Sequence, residues 1–82
     1  MFQAKIYITL RKSVLDPQGS VVTKSLHAMG YENVAEVRVG RYLVVDINAA
    51  DPNDAETQVH EMCKKLLANP VIEDYTFTLT EV

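Results

Sequence analysis

The same start signal occurs twice in this chain. Asp16-Pro17 and Asp51-Pro52 each stand at the head of a run whose apolar residues recur at helical spacing. An aspartate at that place accepts hydrogen bonds from the first free helical amides. Proline suits the first helical position because no donor is needed from it. Two helices so marked, each with strand-like residues before and after it, leave few arrangements open. Between the halves lies Val37-Arg38-Val39-Gly40-Arg41-Tyr42, which reads as the tip of a hairpin. Tight hairpin loops need backbone angles that a Cβ penalises, so Gly40 is the expected pivot.

The strands follow from period-two patterning. Phe2, Ala4, Ile6, Ile8 and Leu10 alternate with Gln3, Lys5, Tyr7, Thr9 and Arg11, the pattern of a strand with one buried face. Residues 34–39 read as a second strand and 42–48 as a third. A two-residue loop at Gly40-Arg41 sets Val37 opposite Val44. A three-residue loop sets Val39 opposite Leu43 and gathers Val37, Val39, Leu43, Val45 and Ile47 on one face. The second register is favoured, with the first left open. Tyr75, Phe77 and Leu79 alternate with Thr76, Thr78 and Thr80 in a last strand rich in β-branched and aromatic residues.

The first helix shows Val22, Leu26 and Met29 as one apolar stripe and stops at Gly30, the usual C′ residue. Gly19, early in that helix, has no explanation at the level of sequence. The second helix carries a stronger stripe, Ala55, Val59, Met62, Cys63, Leu66 and Leu67, with Asp54 near its positive end. Asn69-Pro70 stops it, since proline disfavours helical geometry in the residue before it.

The expected order is β-α-β-β-α-β. Right-handed crossovers place both helices on one face of an antiparallel sheet. The expected class is therefore α+β: a two-layer, ferredoxin-like split βαβ with strand order 4-1-3-2. Residues 1–82 make a single domain. The opposite face would carry Lys5, Tyr7, Thr9, Val44, Asp46, Thr76 and Thr78, only partly polar, and the last strand would be a weakly protected edge. Closure of that edge or face by self-association is the expectation. Exchange of the last strand between chains, hinged at Asn69-Pro70, is the less favoured variant.

Composition narrows the function classes. The chain has 82 residues, 48% of them hydrophobic, and a net charge of −3. A chain so short buries only about 60% of its unfolded surface. Its charge gives no electrostatic reason to bind nucleic acid or an anionic membrane. The one cysteine, Cys63, cannot form an internal disulfide, and a cytoplasmic setting is expected. No signal peptide is read at the N-terminus, and no apolar run approaches the ~20 residues of a membrane span.

There is no glycine-rich phosphate loop, nucleophile elbow or paired-cysteine metal motif. His60 and Cys63, three apart, supply two ligand types where a metal site needs more, so surface histidine and core thiol are the favoured readings. His27 sits on a polar helix face with Thr23 and Lys24. Tyr7 and Tyr42 lack the basic surroundings of an RNA-stacking platform. Arg11 and Asn48 invite comparison with small ferredoxin-like phosphatases, but Arg11-Lys12-Ser13-Val14 is not a phosphate-cradling loop. Arg38 and Arg41 read first as solvated hairpin charges and second as docking groups for an acidic surface. The residues point to binding or assembly rather than catalysis.

Three stretches together resemble one family. Val14-Leu15-Asp16-Pro17-Gln18-Gly19, the Val37 to Tyr42 stretch, and Met62-Cys63 with Leu66-Leu67-Ala68-Asn69-Pro70-Val71-Ile72-Glu73-Asp74-Tyr75 are similar to the PurS subunits of phosphoribosylformylglycinamidine (FGAM) synthase. The Met-Gly-Tyr ending of the first helix fits as well, and Arg41 stands where lysine is common in the family. The resemblance implies an accessory subunit of a glutamine-dependent, ATP-consuming C–N ligase in purine biosynthesis, not catalytic alone. It implies a glutaminase and a large synthetase subunit as partners, a homodimer or tetramer, and help with ammonia transfer. It places ATP and Mg on the synthetase, with no cofactor in this chain. The docking candidates it suggests are Asp16, Pro17, Gln18, Gly19, Arg38, Gly40, Arg41, Asn69, Pro70, Glu73 and Tyr75, each also with a structural use. The alternative is an ACT-like small-molecule regulatory domain, although the loop at residues 11–17 lacks the glycine such domains use.

Overall fold

The computed structural model describes residues 1–82. Strand β1 (Phe2–Leu10) carries its alternation directly into burial, with Phe2, Ala4, Ile6 and Ile8 inside and Tyr7 and Thr9 outside. Helix α1 (Pro17–Ala28) follows, then β2 (Gly40–Ile47), α2 (Pro52–Met62), a π-helical turn (Cys63–Leu67) and β3 (Glu73–Glu81). The sheet is antiparallel with order β2-β1-β3. In β1, Ile6 lies opposite Leu43 and Phe77, so the inward residues of all three strands share one face. The expected outer face is also found: Tyr7 pairs with Tyr42 and Thr76, and the two tyrosine rings lie 4.9 Å apart.

Helix α2 covers the inner face. Ala55, Val59 and Cys63 are fully buried against Ala4, Ile6, Ile8 and Ile47, with Tyr75, Phe77 and Leu79 packed around them. Each large aliphatic side chain so buried contributes roughly 1.5–3 kcal/mol. The stripe then departs from expectation. The Ala68 N–H donates to the Cys63 carbonyl at 3.0 Å, a five-residue step that inserts one residue into the last turn. The extra residue turns Leu66 outward, 82% exposed, and brings Ala68 into the core instead. The Leu66 assignment is thus corrected by the widened turn. Past Ala68, Asn69 organises the tight turn into β3. Its carbonyl accepts from the Glu73 N–H at 2.8 Å, and its side chain accepts from the Val71 N–H at 3.1 Å.

The α+β class and the antiparallel sheet with two helices hold, and the observed order is the expected 4-1-3-2 without its last member. Residues 34–39 form no strand, and there is no hairpin at Gly40, so neither loop register occurs. The reason is a competing set of partners. The Val37 N–H donates to Thr23 Oγ1 at 3.0 Å and the Val39 N–H to Asp16 Oδ2 at 2.7 Å. These bonds tie the segment to α1 rather than folding it back onto β2. Gly40 opens β2 opposite Thr9 instead of turning a loop, and a Cβ there would meet the Ile8 carbonyl oxygen at 2.5 Å. The last strand, β3, pairs antiparallel with β1 along its whole length.

Of the two helices, only α2 packs on the sheet. Gly19 is the single buried residue of α1, and no α1 side chain joins either core cluster. The molecule is correspondingly drawn out, 51 × 27 × 14 Å with a radius of gyration of 16.2 Å. A compact chain of this length would have about 11.7 Å. No helix is long and apolar enough to cross a membrane.

Candidate functional site

The docking candidates converge at one end of the sheet, where β1 ends and β2 and β3 begin. Thr9 faces Gly40 there, and Leu10 faces Glu73. Asp16 is the N-cap of α1 and is only 5% exposed. Its Oδ1 accepts from the Gly19 N–H at 3.0 Å, and its Oδ2 accepts from Val39 at 2.7 Å. The Gly19 amide first, then that of Val39, with the Arg38 charge adding to them, hold its carboxyl below the usual aspartate range.

Gly19 now has an explanation. A Cβ at this position would stand 2.1 Å from the Val37 carbonyl oxygen and 2.8 Å from Asp16 Oδ2. Only glycine lets the 34–39 segment pass this close to the first turn of α1. Thr23, on the polar face of α1, supports the same crossing. Its hydroxyl donates to the Gly19 carbonyl at 2.8 Å while accepting from Val37. No local sequence signal distinguishes it.

Arg38 and Arg41 are not the solvated hairpin charges expected. The Arg38 guanidinium donates to the carbonyls of Arg11 and Val14 at 2.9 and 3.0 Å, gathering the loop between β1 and α1. Arg41 donates to the Leu67 carbonyl at 2.9 Å and to Glu73 Oε1 at 2.8 Å. The same Glu73 oxygen accepts from the Asn69 N–H at 2.8 Å. That amide, with Arg41 beside it, lowers the Glu73 pKa. One arginine therefore closes the entry to α1, and the other joins the end of the π-helical turn to the starts of β2 and β3.

The remaining candidates surround this pair of clamps. Pro70 offers its carbonyl to the Arg11 guanidinium, whose Nε lies 3.5 Å from Asp74. Tyr75 turns away toward α2, its hydroxyl 3.0 Å from His60 Nδ1. His60 also meets the Phe77 ring edge-on, whereas Cys63 is buried in the core with its thiol pKa raised by burial. Pro17 and Gln18 are exposed on the first turn of α1. Asp16, Gln18, Gly40, Arg41 and Glu73 line a cavity of about 200 Å3. Chemically, the charged groups here hold main-chain amides, carbonyls and one another.

Comparison with known proteins agrees with this architecture. The family model described as PurS, phosphoribosylformylglycinamidine (FGAM) synthase, matches residues 3–81. The phosphoribosylformylglycinamidine synthase subunit PurS of Bacillus subtilis is 50% identical over 82 residues, covering 100% of this chain and 96% of that protein. The solved structure of B. subtilis PurS superposes with a TM-score of 0.88 at 49% identity, over 99% of this chain and 100% of that one. A chain in the structure of PurLQS from Thermotoga maritima superposes equally well, TM-score 0.88 at 28% identity, over 96% of each chain. Nearly every residue of the sheet, of both helices and of the clamped end thus falls within the match: this chain belongs to the PurS family.

Proposed function

We propose that this chain is the small accessory subunit of an FGAM synthase in purine biosynthesis. In that role it bridges a glutaminase and a large synthetase subunit and assists the passage of ammonia between them. The complex converts formylglycinamide ribonucleotide, glutamine and ATP to formylglycinamidine ribonucleotide. ATP and Mg are used by the synthetase, and this chain contributes no cofactor of its own. The setting is cytoplasmic and the chain self-associates as a dimer or tetramer.

The observation that carries this reading is the family match over residues 3–81, joined to the use made of the polar groups. Asp16, Arg38, Arg41 and Glu73 are committed to holding three chain segments together at one end of the sheet. That use suits a rigid docking surface. Gln18, Pro17 and Asn69, exposed around the clamps, are the groups placed to meet a partner.

The test is reconstitution. Glutaminase and synthetase subunits are assayed for glutamine-dependent turnover with and without this chain, and again with ammonia supplied directly. Turnover on glutamine should require the chain, while turnover on ammonia should need it far less. Full coupling without it would end the proposal.

A further inference from the structure

The turn that leads into β3 is held more firmly than its side chains require. Pro70, Val71 and Ile72 form its apex, and all three are exposed, Val71 at 77%. None of them joins either core cluster. Yet the main chain beneath them is fixed at every donor. The Ile72 and Glu73 N–H groups donate to the Asn69 carbonyl at 3.2 and 2.8 Å, and the Val71 N–H donates to Asn69 Oδ1 at 3.1 Å. The Asn69 N–H donates to Glu73 Oε1 at 2.8 Å. From the neighbouring loop, Arg11 donates its main-chain N–H to the Ile72 carbonyl at 2.8 Å and its guanidinium to the Pro70 carbonyl. A lone exposed valine is ordinary. One set between two other apolar residues at the apex of a fixed turn is a small contiguous patch with its ordering cost already met.

The same bonds define what can meet this apex. A turn whose amides are all taken inside the chain cannot be recognised through them, as an added strand would require. The apolar side chains are what remains to be read. The charges at the rim are also matched within the chain, Arg11 Nε lying 3.5 Å from Asp74 and Arg41 2.8 Å from Glu73. The apex therefore calls for an apolar partner surface without a counter-charge.

We infer that Val71, flanked by Pro70 and Ile72, is a preordered knob that enters an apolar socket on a larger subunit of the complex. This rests on the accessory-subunit role proposed above and names a contact through which that role is exercised. Arg11, Asn69 and Glu73 are its positioning residues: they touch the main chain of the turn and fix where the knob points. Because the knob is rigid, its binding does not require the turn to be ordered at the moment of contact. Truncating a small, fully desolvated contact of this kind weakens binding out of proportion to its area.

The experiment titrates the full chain into glutaminase and synthetase subunits and reads glutamine-dependent turnover. Val71→Asp should raise the concentration needed for half the maximum on the order of tenfold, since it brings a charge into an apolar socket, and leave the maximum at saturation unchanged. Val71→Ala, which only shortens the knob, should raise it about threefold. Val82→Asp is the control. Val82 is exposed at the opposite end of the sheet, where its N–H donates to the Met1 carbonyl, and its replacement should leave the titration unchanged. Far-UV circular dichroism and light scattering check that each variant keeps the fold and mass of the unaltered chain. If Val71→Asp does not keep them, Val71→Ala alone decides. Titrations that coincide with that of the unaltered chain, a lowered maximum at an unchanged midpoint, or an equal weakening by Val82→Asp overturn the knob. An unaltered chain that supports no glutamine-dependent turnover at any concentration overturns the accessory role itself.

Discussion

The two helices begin alike and end differently. Asp51 caps α2 through the Asp54 N–H at 2.8 Å, just as Asp16 caps α1 through that of Gly19 at 3.0 Å, and proline follows the cap in both. Yet α2 buries Ala55 and Val59 against the sheet, and α1 buries only Gly19. Capping decides where a helix starts, and an apolar stripe shows that it must be covered. Neither states which surface does the covering. The α2 half is a core; the α1 half is an arm fastened at its root by Asp16, Thr23 and Arg38.

The difference can be tested most forcefully by truncating one large apolar residue in each half. Ile6 is fully buried beneath Val59, so Ile6→Ala should cost about 3 kcal/mol. That is a large share of the roughly 4–12 kcal/mol expected of a chain this size. Leu26→Ala in α1, measured in dilute solution, should cost under about 0.5 kcal/mol. Chemical denaturation of both variants at one low concentration checks the contrast. Equal costs would mean that α1 packs on its own sheet.

Gly19→Ala comes next. The added methyl meets the Val37 carbonyl, a main-chain atom that cannot rotate away, so a loss of roughly 1–3 kcal/mol is expected. The loss should be local, with faster exchange at the Val37 and Val39 amides and little change in the α2 half. At the corresponding place in α2, Asp54 is exposed, and Asp54→Ala should have only a small effect.

Much of this was legible in the sequence. Alternation in Phe2 to Leu10 and Tyr75 to Leu79 set the inner face correctly, and both caps and Gly30, with its φ of 100°, stand where their chemistry placed them. What stayed hidden depended on contacts between segments distant in the chain. Residues 34–39 have strand-like composition, but their amide partners are the Thr23 hydroxyl and the Asp16 carboxylate, more than ten residues upstream. Gly40 is glycine because Ile8 runs past it, not because a loop turns there. The candidate residues stand in the sequence as separate motifs, and Arg38 and Arg41 clamp them together through carbonyls and a carboxylate that only strand pairing brings near.

Acid should loosen the arm at its root. The Asp16 carboxyl is held below its ordinary value of 3.8, and that of Glu73 below 4.5. A carboxyl depressed on folding contributes stability that is fully present above its unfolded value and is lost as pH falls through the folded one. Both contributions should therefore be intact from neutral pH down to about 5 and fade below 4. Carboxyl carbon resonances should titrate with midpoints below 3.8 for Asp16 and below 4.5 for Glu73. A midpoint for Asp16 at or above 3.8 would mean that its bonds to Gly19 and Val39 are absent in solution.

The smallest expected effect separates the halves most finely, because it concerns a residue of the packed helix that behaves like one of the arm. Leu66 and Leu67 are adjacent and both belong to the α2 stripe, but the π-helical turn leaves the first 82% exposed and the second packed against the core. In dilute solution Leu66→Ser should therefore change stability by no more than about 0.5 kcal/mol, while Leu67→Ser should cost clearly more. An ordinary α-helical turn has no inserted residue to rotate Leu66 outward, so a core-sized loss at Leu66 would deny the widened turn. A loss that grows only with protein concentration would instead show that the exposed leucine is covered when chains meet.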